Sequence, residues 1–308
     1  MLPGPDRFQG CILGLALGDA LGAPFEGGVV EKALWRWIGT TRTGQMRWTD
    51  DTQMSLDILE SLLATGGIDQ DDLAARFAKS YRWSRGYGPG TAKILRRIAK
   101  GSQWRDSNRS VHRAGSFGNG AAMRAPVVGV FYANRADLLV KAARQSAEVT
   151  HVHPLGVEGA VAVASATALA AQGQSALEIL RETAARCTLE PFTSRLAIAR
   201  DWLKSDGRVS TNDVRRELGN GIAAHQSSVT AIYLAMRYRD RTFDEMHQFI
   251  TELAGDVDTI GAMAGAVWGA ANGAASLPER QLARLEQRER LANLATALYE
   301  RAAQDDAR

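Results

Sequence analysis

Residues 10–22 read GCILGLALGDALG, and residues 261–273 read GAMAGAVWGAANG. Both stretches repeat glycine at every fourth position, namely Gly10, Gly14, Gly18 and Gly22 in the first and Gly261, Gly265, Gly269 and Gly273 in the second. On a helix this spacing places each set along one slowly drifting stripe. A glycine inside a helix costs roughly 1 kcal/mol relative to alanine, whereas a bare stripe allows two helix backbones to approach closely. We therefore expect two glycine-striped helices at the centre of a helical bundle, packed against each other.

The segments between these stretches also read as helix. Leu56, Leu59 and Leu62, for example, follow helical spacing, and the period-two alternation of strands is hard to find. A last helix is predicted from about residue 278 to about 304. No linker, low-complexity tract or useful repeat interrupts the chain. The sequence therefore predicts an all-α fold in a single compact domain over residues 1–308.

The composition excludes several classes of protein. With 37 basic and 34 acidic residues the net charge is only +3, so no nucleic-acid partner is expected. The two cysteines, Cys11 and Cys187, form no disulfide framework and fit a reducing compartment. The N-terminus lacks the basic start of a signal peptide, and the uncharged residues 259–278 are mostly alanine and glycine, which favours a buried helix over a membrane span. We predict a cytoplasmic monomer with no membrane partner.

Two acidic clusters stand at predicted helix starts. Residues 49–52 read TDDT, and residues 255–259 read GDVDT. Aspartate and threonine are preferred helix N-caps, so either cluster alone is typical of a cap. Because both clusters share one pattern, a second interpretation, that they bind metal, gains weight. Crowded carboxylates repel one another unless a divalent cation neutralises them. If the fold joins the clusters, they offer an all-oxygen shell suited to Mg²⁺ or Mn²⁺, with room for two ions that share carboxylates. Its candidate ligands are Thr49, Asp50, Asp51, Asp256, Asp258 and Thr259.

Two further motifs carry candidate chemistry. Glu26 follows the first glycine stripe in an apolar, glycine-rich setting, which suits a working acid or metal contact as well as a solvent-facing loop residue. Residues 115–124 read GSFGNGAAMR, a glycine-rich loop that enters a predicted helix. Consecutive backbone N–H groups there could cradle a phosphate or diphosphate. Phe117 in this loop could stack on a base or pack in the core.

Three single residues complete the candidate set. His151 lies in the sequence HVHP, where zinc is improbable without further cysteine or histidine, so a ligand contact or a role in the loop is preferred. Tyr87 lies in a tight glycine-proline turn that should expose it, either at the border of a pocket or packed on the surface. Asp19, inside an apolar helix, is expected to accept structural hydrogen bonds.

Taken in order, these motifs resemble the ADP-ribosylglycohydrolase family, and most closely its bacterial branch typified by dinitrogenase reductase-activating glycohydrolase. The resemblance covers about residues 8–275. Five motifs carry it, at residues 14–26, 48–52, 116–124, 150–154 and 255–259. The ordered set is highly specific, although each motif alone is weak. The family's second acidic motif usually reads Gly-Gly-Asp-Thr-Asp-Thr, whereas residues 254–259 here read AGDVDT, so Val257 removes one hydroxyl.

The resemblance implies an orthogonal multi-helix bundle with two Mg²⁺ or Mn²⁺ ions at the base of an ADP-ribose cleft. By motif position, Thr49, Asp50, Asp51, Asp256, Asp258 and Thr259 would be the metal ligands. Glu26 would be the acid or base beside them, with Asp258 also placed at the reacting bond. The substrate-binding candidates are Gly115, Ser116, Gly118 and Asn119 for diphosphate and ribose, Phe117 for adenine, His151 for the distal ribose and Tyr87 at the pocket border.

The implied activity is metal-dependent hydrolysis of the glycosidic bond between ADP-ribose and a protein side chain, with arginine as the first choice of acceptor. Three alternatives stay open. One is a hydrolase of serine-linked or small-molecule ADP-ribose conjugates. Another is a non-catalytic ADP-ribose-binding protein, against which the intact carboxylates argue. The third is a different two-metal hydrolase, such as a phosphoesterase, against which the absence of metal-spaced histidines argues.

Overall fold

The computed structural model describes residues 1–28, 32, 35, 37–205 and 207–306. Within these residues the regular elements are helices, joined by short turns and isolated backbone bridges. The α-helices are α1 (Pro5–Gly22), α2 (Asp50–Thr65), α3 (Gln70–Ser80), α4 (Pro89–Ala99), α5 (Trp104–Ser107), α6 (Ala125–Phe131), α7 (Ala136–Glu148), α8 (Pro154–Ala171), α9 (Ala176–Arg186), α10 (Glu190–Ser205), α11 (Thr211–Glu217), α12 (Ala224–Arg237), α13 (Phe243–Leu253), α14 (Val257–Asn272), α15 (Glu279–Leu282) and α16 (Arg288–Asp306). The predicted all-α fold is confirmed.

The two glycine-striped helices, α1 and α14, pack directly on each other. A β-carbon added to Gly14 would lie 2.2 Å from the carbonyl oxygen of Gly265, and one added to Gly265 would lie 2.2 Å from that of Gly14. Gly18 and Gly261 oppose each other in the same way. Any side chain larger than hydrogen would push the backbones apart, so the stripes exist because the helices touch backbone to backbone.

The core forms around this pair. Helix α8 is buried along almost its whole length and contacts α6, α7, α12 and α14. It is built largely from alanine and valine, and these small side chains let several helices surround it closely. The thiol of Cys11, on α1, is buried.

The C-terminal segment departs from the prediction of one continuous helix. Helix α15 ends at Leu282, and α16 begins at Arg288. Between them the chain pairs with an early loop: the Met46 amide donates to the Arg284 carbonyl at 2.6 Å, and the Glu286 amide donates to the Met46 carbonyl at 2.9 Å. The leucine periodicity runs through this break, so the prediction was wrong because a long-range backbone pairing replaces helical hydrogen bonds here.

Two helices are long and apolar enough to cross a membrane by length and composition alone. These are the segments Pro5–Phe25 and Pro154–Ala171, and 78% and 89% of their apolar windows are buried inside the protein. Such burial is typical of core helices, and both segments belong to the core described above.

Candidate active site

The first acidic cluster begins α2 and is fixed by hydrogen bonds. Thr49 is the N-cap, and its hydroxyl accepts from the Asp51 amide at 3.3 Å. The Asp19 carboxylate, reaching across from α1, accepts from the amides of Thr49 at 2.9 Å and Thr52 at 3.0 Å and from the Thr52 hydroxyl. Asp19 is therefore the structural acceptor that was expected. The cluster is both a cap and a set of carboxylates, so the two interpretations of residues 49–52 do not exclude each other.

The second acidic cluster begins α14 on an unusual backbone. Asp256 is the N-cap, but its side chain makes no cap hydrogen bond. The two preceding residues have positive φ, 56° at Ala254 and 83° at Gly255. The Asp256 amide donates to the Asn220 carbonyl at 2.9 Å, and the Asn220 side chain donates to the carbonyls of Leu253 and Ala254, both at 3.1 Å. The Asn220 contacts hold this turn in place, because the backbone conformation of Ala254 is unfavourable for a residue other than glycine.

The end of the glycine stripe sets the position of the second cluster. A β-carbon added to Gly22 would lie 2.5 Å from the Cα of Asp258. The close approach of α1 and α14 therefore continues to the first turn of α14. The packing of α1 on α14 at the centre of the fold therefore also fixes the position of Asp258.

The two clusters and Glu26 converge. Glu26, Asp256 and Asp258 each offer a carboxylate oxygen, and these oxygens lie within 4.8 Å of one another. Asp256 and Asp258 are buried, while Glu26 is half-buried at the end of the loop that follows α1. Asp50 and Asp51 lie near enough for Glu26 and Asp256 to influence their protonation. We refer to these five carboxylates as the acid cluster.

Burial and mutual repulsion disfavour the charged forms of the acid cluster. Burial raises the pKa of Asp256 to about 6, and the nearby Glu26 carboxylate adds to the increase. Burial likewise raises the pKa values of Asp51 and Asp258 well above the ordinary range, with Asp19 and Glu26 respectively as the largest neighbouring contributions. Oxygen Oδ2 of Asp51 is buried and receives no hydrogen bond from any described residue. A cation would supply the missing partner and remove the repulsion.

The candidate diphosphate loop reaches the acid cluster through Asn119. The Asn119 side chain donates to the Asp256 carboxylate and, at 3.0 Å, to the Ser227 hydroxyl. The loop enters a short 3₁₀ turn, Asn119–Ala121, rather than an α-helix. Two of its amides are engaged within the protein, since Gly118 donates to the Ser116 hydroxyl at 3.2 Å and Asn119 donates to a backbone carbonyl at 2.9 Å. The proposed phosphate cradle therefore has fewer free amides than its sequence suggested.

Phe117 and Gly115 frame this loop. Phe117 is 51% exposed and meets the ring of His153 edge-on at 5.9 Å, so it does not pack in the core. Gly115 has φ +85°, and a β-carbon there would lie 2.5 Å from the His153 amide nitrogen. Only glycine fits this left-handed, closely packed position. The exposed aromatic ring is thus held on a rigid support.

His151 lies beneath the loop. It is only 3% exposed, and its Nδ1 is 2.7 Å from the Thr150 hydroxyl. A β-carbon on Gly120 would come within 2.9 Å of the imidazole ring. Burial lowers the pKa of His151 to about 3, helped by the neighbouring Arg124 cation. The imidazole is therefore neutral and supports the loop, while direct contact with a ribose stays a prediction.

Tyr87 corrects an expectation. The glycine-proline turn does not expose it, because its ring is only 8% exposed and meets Tyr81 edge-on at 4.9 Å. Burial, with the nearby carboxylate of Asp50, raises the pKa of Tyr87. Tyr87 thus packs beside the acid cluster instead of projecting from the turn.

Sequence reasoning missed two buried arginines. Arg124 is fully buried beneath the glycine-rich loop, where it donates to the Gly120 carbonyl at 2.7 Å and the Thr150 hydroxyl at 2.9 Å. Arg85 is 8% exposed, pairs with both carboxylate oxygens of Glu286 at 2.7 and 2.9 Å, and lies 3.5 Å from the centre of the Trp48 ring. Local spacing does not predict either role, because Thr150 and Glu286, which accept from Arg124 and Arg85, are distant in sequence.

Comparison with known proteins adds an independent finding. The ADP-ribosylglycohydrolase family model matches residues 3–308. The chain is 35% identical to the ADP-ribosylhydrolase ARH3 of Bos taurus, with 89% of this chain and 87% of that protein covered. It is also 35% identical to an uncharacterized protein of Archaeoglobus fulgidus, with 96% of each covered. A solved structure titled ADP-ribosylglycohydrolase-related protein complex aligns with a TM-score of 0.71 at 28% identity, covering 97% of this chain and 98% of that one.

Proposed function

The chain belongs to the ADP-ribosylglycohydrolase family and is a hydrolase of that family, and we propose that it cleaves the glycosidic bond between ADP-ribose and a protein side chain in a reaction that depends on bound Mg²⁺ or Mn²⁺. The observation that carries the proposal is the convergence of Glu26, Asp256 and Asp258 within 4.8 Å. Asn119 ties this cluster directly to the candidate diphosphate loop.

The donor set fits hard divalent cations. Every candidate ligand atom is a carboxylate or hydroxyl oxygen, and the acid cluster includes a buried oxygen of Asp51 that has no hydrogen-bond partner in the described part of the chain. Two ions would be held by Thr49, Asp50, Asp51, Asp256, Asp258 and Thr259. When bound, they would neutralise these carboxylates, orient ribose hydroxyls and lower the pKa of a bound water.

The protein's own residues account for substrate orientation. The exposed ring of Phe117 offers a face for adenine, and the Ser116–Asn119 stretch supports the diphosphate and ribose. Since Asn119 also contacts Asp256, a substrate held by this loop has its ribose end beside the acid cluster. Neutral His151 and buried Arg124 keep the loop in place from below.

Glu26 is the proposed proton-handling group. Cleavage of the anomeric bond develops positive, oxocarbenium-like charge on the ribose, which the surrounding carboxylates favour. Glu26 is the half-buried carboxylate of the three that converge, so it can meet both solvent and substrate. It would take a proton from the attacking water and return one to the leaving group.

The proposal also specifies the acceptor, that is, the residue to which ADP-ribose is attached. Arginine follows from the resemblance to the bacterial branch, and the similarity to ARH3 proteins leaves serine-linked and small-molecule conjugates as alternatives. The assignment to that bacterial branch stays a prediction, as do the cytoplasmic location and the monomeric state.

The decisive experiment measures release of free ADP-ribose from arginine-linked and serine-linked ADP-ribosylated protein. Each substrate is assayed with Mg²⁺, with Mn²⁺ and with chelator, using the wild type and Asp258→Asn. We expect release that chelator and Asp258→Asn both abolish. Release that persists undiminished in chelator would overturn the metal dependence, and tight ADP-ribose binding without release from either substrate would overturn the proposed cleavage of protein linkages.

A further inference from the structure

A second recess adjoins the acid cluster on a different set of residues from the diphosphate loop. This cavity has a volume of about 210 Å³ and reaches Glu26 and Thr49 at its inner end. Its walls are formed by Trp35, Ile38 and Trp83, and small residues make up the rest of its described lining. No residue of the 115–119 loop lines it. We refer to it as the tryptophan cavity.

One wall of the tryptophan cavity is held rigidly although its tryptophan is exposed. Trp83 is 71% exposed and lies in a 3₁₀ turn, Trp83–Arg85. Arg85 anchors that turn, since it is buried, pairs with Glu286 and donates to the Trp48 carbonyl at 2.7 Å. A β-carbon on the next residue, Gly86, would lie 3.9 Å from Asp50 Oδ1. The turn that carries Trp83 is therefore held in place, while the indole itself is exposed and does not pack in the core.

The opposite wall of the tryptophan cavity, formed by Trp35 and Ile38, is held in place by a second arginine, Arg47. Arg47 donates to the Ile38 carbonyl at 2.8 Å, and the Trp35 carbonyl accepts from the Gly39 amide at 2.6 Å. Among the residues that the structure describes, the buried indole nitrogen of Trp35 has no hydrogen-bond partner. Arg47 and Arg85 thus hold the walls in place, and none of the described residues lining the cavity carries a basic side chain.

The volume of the tryptophan cavity and the charge of its lining indicate which kind of side chain it binds. Its volume is smaller than that of ordinary small-molecule pockets, so it is suited to one long side chain rather than to ADP-ribose. Aromatic faces attract cations, and tryptophan does so best. A carboxylate at the inner end adds a charge-assisted hydrogen bond that a planar guanidinium meets well.

We propose that the tryptophan cavity is the acceptor subsite and binds the guanidinium side chain of ADP-ribosylated arginine, with Trp83 as the residue that determines acceptor specificity. The inference rests on the proposed function, because a cleaved bond beside Glu26 requires a place for the leaving side chain. With ADP-ribose on the Ser116–Asn119 side of the acid cluster, the acceptor occupies the tryptophan cavity.

The test compares kcat/KM on arginine-linked and serine-linked ADP-ribosyl peptides for the wild type, Trp83→Ala and Trp83→Phe. The matched control is Trp37→Ala, since Trp37 is 90% exposed but does not line the cavity. Loss of the cation–aromatic contact should lower kcat/KM on the arginine-linked peptide about tenfold in Trp83→Ala and less in Trp83→Phe. In Trp83→Ala the serine-linked rate should fall less than the arginine-linked rate, and the affinity for free ADP-ribose and all rates of Trp37→Ala should stay unchanged.

Three results would overturn the subsite: an equal loss on both peptides, an unchanged arginine-linked rate, or a wild type that cleaves only the serine-linked peptide. The last of these would leave the proposed hydrolase intact. If the wild type cleaves neither peptide, the proposed function fails, and ethylguanidinium binding decides the subsite. The binding test measures tryptophan fluorescence of the ADP-ribose-bound protein during titration with ethylguanidinium. Saturable quenching that is lost in Trp83→Ala and kept in Trp37→Ala supports the acceptor subsite. Absence of quenching in the wild type overturns the subsite.

Discussion

Residues 49–52 and 255–259 both place two carboxylates and a threonine at the start of a helix, but the protein fixes the two clusters by different means. In the first, a buried carboxylate, Asp19, accepts hydrogen bonds from the helix start. In the second, the backbone of Asp258 lies directly against Gly22, and the preceding turn has positive φ at two residues. The first cluster should therefore respond to changes of polarity, and the second to changes of volume and backbone conformation.

The largest expected effect comes from removing a charge at the point where the clusters meet. Asp258→Asn should lower kcat by about a thousandfold, because metal-assisted catalysis is worth several kcal/mol. The same change should raise the Tm of the metal-free protein, since the pKa of Asp258 is raised by burial and by Glu26, and the charged form is therefore disfavoured. Steady-state kinetics and melting in chelator measure both effects.

Asp240→Asn, at an exposed position, is the control and should change neither quantity. A loss of Tm in chelator for Asp258→Asn would contradict the picture of mutual repulsion in the acid cluster.

The next effect concerns volume at the second cluster. Gly22→Ala adds a β-carbon that would lie 2.5 Å from Asp258 Cα, so the backbone must shift at a cost of about 2–3 kcal/mol. Urea unfolding measures the loss of stability, and calorimetric titration with Mn²⁺ should show weakened metal binding. Gly4→Ala, at the N-cap of the same helix with nothing within 4 Å, should cost less than about 0.5 kcal/mol. Equal costs for the two variants would contradict the close approach.

A change of polarity at the first acidic cluster should lower the stability of the protein by a somewhat smaller amount. Asp19→Asn keeps the shape but weakens acceptance of the amides of Thr49 and Thr52, which should cost about 2 kcal/mol of stability. Metal affinity should fall as well, since these bonds orient residues 49–52. Urea unfolding and Mn²⁺ titration again provide the measurements. A change within about 0.5 kcal/mol would mean that the Thr49 cap holds this helix start without Asp19.

The metal-free protein should lose stability as pH rises. The pKa of Asp256 is raised to about 6 by burial and by Glu26, and the unfolded carboxyl titrates lower. Its favourable contribution is therefore complete below the unfolded pKa and is lost as pH rises through the folded pKa. We expect the free energy of unfolding in chelator to be about 1–2 kcal/mol lower at pH 8 than at pH 5. Saturating Mg²⁺ should flatten the profile, and an unchanged slope would show that the acid cluster does not bind the ion.

The smallest expected change in stability comes from a substitution at Ala254, in the strained turn before the second acidic cluster. Ala254 has φ 56° and ψ −166°, a region that essentially only glycine occupies. Ala254→Gly should therefore stabilise the protein by about 0.5–1 kcal/mol. The control is Ala75→Gly on exposed helix α3, which should destabilise by about 1 kcal/mol. Chemical denaturation distinguishes them, and loss of stability in both would show that residue 254 is unstrained.

Much of the fold could be predicted because its signals are local. The four-residue glycine spacing identified α1 and α14 and their mutual packing, and the threonine-aspartate pattern marked two helix starts. Four of the five carboxylates of the acid cluster lie at those helix starts, and the fifth, Glu26, lies in the loop after α1. Their roles as ligands or catalytic groups stay predictions. The turn at residues 283–287 and the roles of Arg85 and Arg124 were not predicted, since they depend on the distant residues Met46, Glu286 and Thr150. The burial of Tyr87 was not predicted either, because it depends on how the turn packs in the fold.

By itself, the sequence determined which segments are helical, where helices start and which residue types meet at a site, because capping and helical periodicity depend on neighbours within a few positions. Only the tertiary structure decided which carboxylates share a site, how strongly their charged forms are disfavoured and where an acceptor side chain can enter. Those properties depend on contacts such as Gly22 with Asp258 and Arg85 with Glu286. Electrostatic and steric energies vary with distance in space, and only folding brings these distant residues together.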